Sequence, residues 1–382
     1  MSTEPRTVIL VVGTRPEAIK MAPVFRALKK RSEVRPYLLA TGQHAEMLLE
    51  PLSYFGLVPD ENLGIMRERQ TLDHVTSAVL GLSGQVFDRE RPALVLVHGD
   101  TSTTLAAALA AFYRKIPVGH VEAGLRSGDM AHPFPEEMNR VVTDRLASWW
   151  FAPTMGAAEN LRREGCRPDR VVVTGNTVID ALLWTMSRAG RPSTPALLDL
   201  PPEARVLLLT AHRRESWGAG LESICRAMGR ILDRVPDVWG VVPMHRNPAV
   251  RETFQNFLGH HPRVRLCDPL PYPDFIWAMG RSTLILSDSG GVQEEAPVLE
   301  KPVLVLRSVT ERPEALTEGT AVLVGTDEER IFSTAYRLLT DPEAYGALAR
   351  KGMNPFGKGD AAEKICEALL SPMGGLTAGG SR

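Results

Sequence analysis

Short apolar runs alternate with longer stretches of helical periodicity. TVILVV (7–12) leads into a helical pattern from about Pro16 to Lys30, VRPYLLA (34–40) follows, and ALVLVHG (93–99) precedes a Thr/Ala-rich helix. Strands that are apolar on both faces need cover on both faces, so such strands separated by helices predict a parallel sheet between two helical layers. That is a doubly wound α/β domain.

The pattern then restarts. VLLLTAHRRE (206–215) aligns without gaps on VILVVGTRPE (8–17), with Arg213 opposite Arg15 and Glu215 opposite Glu17, and TLILSDSGG (283–291) matches ALVLVHGDT (93–101). Two Rossmann-like domains are therefore expected, residues 1–186 and 206–370, joined by the Pro/Gly-rich segment 187–205. The last helix is expected to pack back on the first domain. The Gly/Ser-rich residues 371–382 are expected to form a disordered tail. Ligands of open α/β sheets bind beyond the carboxyl ends of the strands, so the polar turns at those ends should line one cleft between the domains.

Composition narrows the function classes. A length of 382 residues suits two domains. Lys and Arg (44) almost cancel Asp and Glu (45), so the basic excess of a nucleic-acid-binding domain is missing. Cys166, Cys225, Cys267 and Cys366 are far apart, without C-x-x-C or zinc spacing, and read as reduced structural thiols. The start MSTEPRTVILVVG does not have the order of a secretory signal, and apolar runs such as ALVLV (93–97) are too short to span a bilayer. A cytoplasmic protein without membrane insertion is expected.

Candidate chemistry collects at the strand ends. VVGTRPEAIK (11–20) places Arg15 at a turn and Lys20 in the following helix, two cations near a helix N-terminus that suit an anionic group. HGDTSTTLAAA (98–108) puts Asp100 after a strand, as a helix cap or as a carboxylate facing the cleft. VEAGLRSGDMAHPFPEEMNR (121–140) puts Glu122 after an apolar run and brings Glu136 and Glu137 behind a Pro-Phe-Pro turn. In TAHRRES (210–216), His212 shares its turn with Arg213 and Arg214, a setting for acid/base work. LSDSGGVQEEA (286–296) opens a helix with Ser289, Gly290 and Gly291, where backbone N–H groups can approach a phosphate, and Glu294 or Glu295 is placed to meet ribose hydroxyls. TERPEA (310–315) adds Arg312. The chain carries no G-x-G-x-x-G, H-E-x-x-H, G-x-S-x-G or metal-ligand cluster, and GMNPFGKG (352–359) imitates a P-loop without its Ser or Thr. A phosphate-bearing ligand handled by Asp, Glu and His, without cofactor or metal, is the expectation.

The motifs VVGTRPEAIKMAPV, LVHGDTSTTLAA, VGHVEAGLRSGD, FPEEMNR, TGNTVIDALLW, TAHRRES, SDSGGVQEEAP and TERPEA, in this order, resemble the bacterial non-hydrolysing UDP-N-acetylglucosamine 2-epimerases over roughly residues 7–365. The resemblance implies a GT-B fold, two facing Rossmann-like domains with the active site in the cleft between them. It implies reversible conversion of UDP-GlcNAc to UDP-ManNAc for cell-surface polysaccharide precursors, through elimination of UDP to a 2-acetamidoglucal and its re-addition. It further implies a homodimer.

Carried over position by position, the resemblance makes Asp100, Glu122 and Glu136 the proton-handling acids and His212 the histidine that contacts the diphosphate and assists UDP departure. Arg15 and Lys20 become first-domain ligand contacts; Ser289, Gly290, Gly291, Glu295 and Arg312 become UDP contacts, with Phe275 near the uracil. Leu270 stands where some members carry a Gln. Gln43, His44, Arg69, Gln70 and His245 resemble the lining of a second, allosteric UDP-GlcNAc site, with Glu46 in place of a Gln found in regulated relatives. Three other readings compete: a GT-B glycosyltransferase, a hydrolysing epimerase that releases UDP and ManNAc, and a nucleotide-sugar-binding regulator.

Overall fold

The computed structural model describes residues 4–43, 45–67, 70–188, 190–213, 216–310, 312–349, 354–371 and 376, with the side chains of 45–47 left aside. His44 and Arg69, two residues of the expected second site, lie outside the described residues, as does nearly all of the expected tail.

Thirteen strands form two parallel sheets among the described residues. The first contains β1 (Arg6–Val12), β2 (Val34–Ala40), β3 (Glu61–Asn62), β4 (Leu94–His98), β5 (Val118–Val121), β6 (Trp149–Ala152) and β7 (Val171–Val173), in the order β3-β2-β1-β4-β5-β6-β7. The second contains β8 (Arg205–Thr210), β9 (Val238–Pro243), β10 (Val264–Cys267), β11 (Ser282–Ser287), β12 (Val303–Val305) and β13 (Ala321–Leu323), in the order β10-β9-β8-β11-β12-β13. Strand order reverses between β1 and β4 in one sheet and between β8 and β11 in the other. These are the switch points where crossover helices diverge to opposite faces and leave a crevice.

The expected two-faced burial is present. Val8 to Val12 of β1 and Val206 to Leu209 of β8 are all at most 1% exposed. Each such Val or Leu contributes about 1.5–3 kcal/mol relative to an exposed position. The Ala-rich helix Ser102–Tyr113 packs against helix Leu72–Glu90, and its small side chains at 106–108, 110 and 111 are fully buried.

The chain divides into two compact units, Met1–Ala181 with Phe356–Arg382, and Leu182–Pro355. In the first, helix Ala361–Leu370 packs against helix Arg15–Lys29. Asp180 accepts from the amides of Ala361 (3.3 Å) and Ala362 (3.0 Å), and Arg31 pairs with Glu363 at 2.8 Å. Within GMNPFGKG, the Phe356 carbonyl accepts from the Asn176 amide at 2.7 Å, which ties that segment to the end of β7. In the second unit, Asp274 of helix Tyr272–Arg281 accepts from the amides and hydroxyls of both Ser193 and Thr194. The Pro/Gly-rich stretch is thereby fixed to the second sheet's helical layer.

Candidate active site

In the first unit the switch point is stapled by one carboxylate. Glu17, 1% exposed, accepts on Oε2 from the amides of Gly13 and Thr14 (2.7 Å each) and from Thr14 Oγ1 (3.0 Å). Its Oε1 accepts from Thr101 Oγ1 (2.6 Å) and Thr104 Oγ1 (3.1 Å). The turns after β1 and β4 therefore hold each other, with the acid at the N-terminal end of its own helix, where the macrodipole favours it.

Glu122 follows β5 directly and adopts φ 65°, the left-handed region that a non-glycine residue enters only when its surroundings hold it there. Three groups converge on its Oε2: Lys20 Nζ in a short ion pair, Asn176 Nδ2 at 2.7 Å, and His98 Nε2 at 3.6 Å. Lys20, Glu122, Asn176 and His98 are all buried, so these are interactions shielded from water.

Asp100, after β4, retains 28% side-chain exposure and pairs with Arg140 Nη2, while its carbonyl accepts from Asn139 Nδ2 at 2.8 Å. The other side of Arg140 holds Glu137 at 2.9 Å. Glu137 in turn accepts from the amides of Ser127 (2.9 Å) and Gly128 (3.1 Å). Glu137 is thus an internal anchor, whereas its neighbour Glu136 opens helix Glu136–Leu146 half-buried, after the cis peptides His132–Pro133 and Phe134–Pro135.

In the second unit the switch point carries the opposite arrangement. Asp288, fully buried just past β11, accepts on Oδ2 from the amides of His212 and Arg213 (2.8 Å each), and its Oδ1 lies 3.0 Å from His212 Nδ1. Burial works to raise the Asp288 carboxyl, but the bond from His212, its charge and the two amides outweigh it and hold the group below the usual carboxylate range. The imidazole of His212 is 44% exposed, so the carboxylate behind it fixes the ring and leaves its far side accessible. His245 stacks against it with centroids 6.4 Å apart, and burial together with His212 lowers the pKa of His245.

Helix Gly290–Glu295 follows Ser289. Arg312 Nε donates to Glu294 at 2.8 Å, both side chains being at most 10% exposed, and its guanidinium packs so close to Gly290 that a Cβ there would stand 2.9 Å from Arg312 Cζ. Glycine at 290 is what admits the arginine. Glu295 accepts from Tyr272 Oη at 3.0 Å. Among the described residues no group of three or more His, Cys, Asp or Glu is disposed to hold a metal ion. No helix among them is long and apolar enough to cross a membrane.

The sequence profile described as UDP-N-acetylglucosamine 2-epimerase (Epimerase_2) matches residues 26–370. The chain belongs to the UDP-N-acetylglucosamine 2-epimerase family. It is 49% identical to the UDP-N-acetylglucosamine 2-epimerase of Escherichia coli K12 over 368 residues, covering 95% of this chain and 98% of that protein. It is 50% identical to the enzyme of the same name from Bacillus subtilis 168 over 363 residues, covering 95% and 94%. The crystal structure of UDP-GlcNAc 2-epimerase from Neisseria meningitidis bound to UDP-GlcNAc superposes with a TM-score of 0.91 at 44% identity, covering 95% of this chain and 99% of that one. The expected GT-B class, with two Rossmann-like domains, stands.

Within this epimerase-family fold the residues singled out in the sequence fall into two groups. Arg15, Lys20, Asp100, Glu122 and Glu136 belong to the first unit, and His212, His245, Phe275, Ser289, Gly290, Gly291, Glu295 and Arg312 to the second. Lys20, read as a contact for an anionic ligand, is ion-paired with Glu122, and Arg15 Nε lies 3.7 Å from Glu50. Gln43 and Gln70 meet: Gln70 Nε2 donates to the Gln43 carbonyl at 3.0 Å, and Thr103 Oγ1 donates to Gln43 Oε1 at 2.8 Å. Phe275 is half-buried on helix Tyr272–Arg281, and Leu270 and Tyr272 are buried. Sequence reading missed His98, Asn176, Arg140 and Asp288, the partners that hold the named side chains. Only Asp288 carried a local signal, as the acid in SDSGG directly after a strand.

Proposed function

We propose that this chain interconverts UDP-GlcNAc and UDP-ManNAc without net release of free sugar. A base takes the C2 proton, the C1–O bond to the diphosphate breaks with its electron pair on UDP, and a 2-acetamidoglucal remains. UDP then re-adds at C1 while a proton reaches C2 from the opposite face. Neither half-reaction changes the oxidation state of the substrate overall, so side chains and the departing UDP suffice.

The observation that carries this reading is Glu122: a buried carboxylate at a strand end, held by Lys20 and Asn176 in an unfavourable backbone conformation, in a chain half identical to named 2-epimerases. Glu122, Asp100 and Glu136 handle the protons at C2. In the second unit, His212, oriented by Asp288, neutralises charge growing on the leaving diphosphate, as an aimed donor does for any oxyanion. Ser289, Gly290, Gly291 and Arg312 complete the diphosphate contacts; Glu295 holds the ribose and Phe275 lies by the uracil. Arg15 joins the ligand from the first unit. By resemblance alone, Gln43, Gln70 and His245 are assigned to a second UDP-GlcNAc site that raises turnover. The same reading makes the protein a cytoplasmic homodimer that supplies polysaccharide precursors.

Incubation with UDP-GlcNAc alone in deuterium oxide tests the reaction. Both UDP-sugars should reach equilibrium with deuterium at C2. Net accumulation of UDP and ManNAc would instead mark a hydrolysing epimerase, and an unchanged substrate without an acceptor would mark a glycosyltransferase.

A further inference from the structure

His120 lies on β5, two residues before Glu122, and is fully buried. Its Nδ1 is 2.6 Å from Asp144 Oδ1, and its Nε2 is 2.8 Å from the carbonyl oxygen of Gly99. Each ring nitrogen of His120 thus faces an oxygen acceptor, one on a side chain and one on the backbone. Gly99 is the residue before Asp100. The other oxygen of Asp144 accepts from the amide of Gly124, two residues after Glu122, at 3.2 Å, and from Arg126 Nη2 at 2.8 Å. Arg126 continues to the partly exposed Glu164 at 2.7 Å. The Asp144 carboxyl sits below the usual carboxylate range: its complete burial opposes this, and His120 and Arg126 outweigh it.

Resting on the proposed reaction, we propose that His120 is a positioning residue for epimerisation: with Asp144 it clamps the turn that presents Asp100 to the turn that presents Glu122. The Glu122 turn needs holding because Glu122 itself takes a left-handed backbone (φ 65°), while Gly99 (φ 70°) and Gly124 (φ 85°) supply the sharp bends beside it. A Cβ at Gly124 would stand 2.3 Å from the carbonyl oxygen of Ala157, so that turn also has no room to relax outward. His120 reaches the Asp100 turn through a backbone carbonyl and the Glu122 turn through Asp144, and it acts through them.

The test compares wild type with His120→Phe, His120→Gln and Asp144→Asn, each checked for folding by circular dichroism. Misplaced acids should lower kcat and C2 deuterium exchange on the order of 10- to 100-fold, most in His120→Phe and less in His120→Gln, whose amide retains one donor. KM and the Kd for UDP should stay within about twofold, since the lost interaction serves the transition state. Wild-type kcat in folded His120→Phe would overturn the proposal, as would an equal fall in kcat and UDP affinity. If His120→Phe does not fold, wild-type exchange in the two polar variants overturns it. Absence of exchange in the wild-type protein would sink the epimerase reading and this role together, whereas exchange at the wild-type rate in the variants sinks the role alone.

Discussion

His98 ends β4, and laying TLILSDSGG over ALVLVHGDT puts Asp288 in the matching place after β11. The exchange of a base for an acid at one position inverts the chemistry around it. In the first unit Lys20, Asn176 and Arg140 hold the carboxylates of Glu122 and Asp100, with His98 Nε2 3.6 Å from Glu122. In the second unit Asp288 and Glu294 hold His212 and Arg312. Two copies of one architecture thus present groups of opposite sign at the same structural address; the proposed reaction assigns proton transfer to the first and the diphosphate to the second. The lesson is that each presented group is fixed by a partner of opposite character from a neighbouring strand or helix.

Changing one presented group breaks the comparison most sharply. Glu122→Gln keeps shape and loses the acid, and kcat should fall roughly 10²- to 10⁴-fold, as for loss of a general acid–base, while UDP binding stays unchanged. Direct assay of UDP-ManNAc formation with calorimetry of UDP binding checks both; a matching loss of UDP affinity would merge the two roles. Changing a holding group should cost less. Asp288→Asn leaves the His212 ring in place without its charged partner, so kcat/KM should drop roughly 10- to 100-fold, the size of one hydrogen bond to a charged group. Steady-state kinetics at several pH values measures it, and an unchanged kcat/KM would remove Asp288 from the argument.

A smaller effect separates holding from presenting altogether. Burial raises Asp180 from 3.8 to about 6 against the opposing amides of Ala362 and Ala361. The folded chain then binds this proton more tightly than the unfolded chain does, so its stabilising share is present below about pH 4 and lost as pH rises through 6. Asp180→Asn gives up one of the two bonds to the Ala361 and Ala362 amides at every pH but carries no titrating carboxyl, so its Tm relative to wild type should rise by about 2 °C between pH 4 and pH 7.5. Scanning calorimetry of both proteins across that range checks it, and activity should not change.

How far the sequence could be read follows from these distances along the chain. The strands, the restart after residue 205 and the acids at strand ends were legible because periodicity and turn residues are local signals. VRPYLLA is a strand over the very residues expected, and the helix expected from Pro16 to Lys30 runs Arg15–Lys29. Which residues pair was not legible. Lys20 and Glu122 are 102 residues apart and His212 and Asp288 are 76 apart, so only the assembled sheet brings them together. Lys20 is an example: a cation beside a helix start reads as an anion site, and its pairing with Glu122 appears only in the fold.

Helix Ala361–Leu370 completes the first unit, yet all of Leu182–Pro355 is translated before it. At ordinary synthesis speeds that interval is roughly 10–30 s, during which domains fold as they emerge. Throughout it the nascent first unit lacks the amides that Asp180 will receive, and the places that Ile365, Cys366 and Leu369 will fill stand open to water. A ribosome stalled in that window displays helix Arg15–Lys29 without the apolar cover that Ala361–Leu370 will bring, a surface to which chaperones bind.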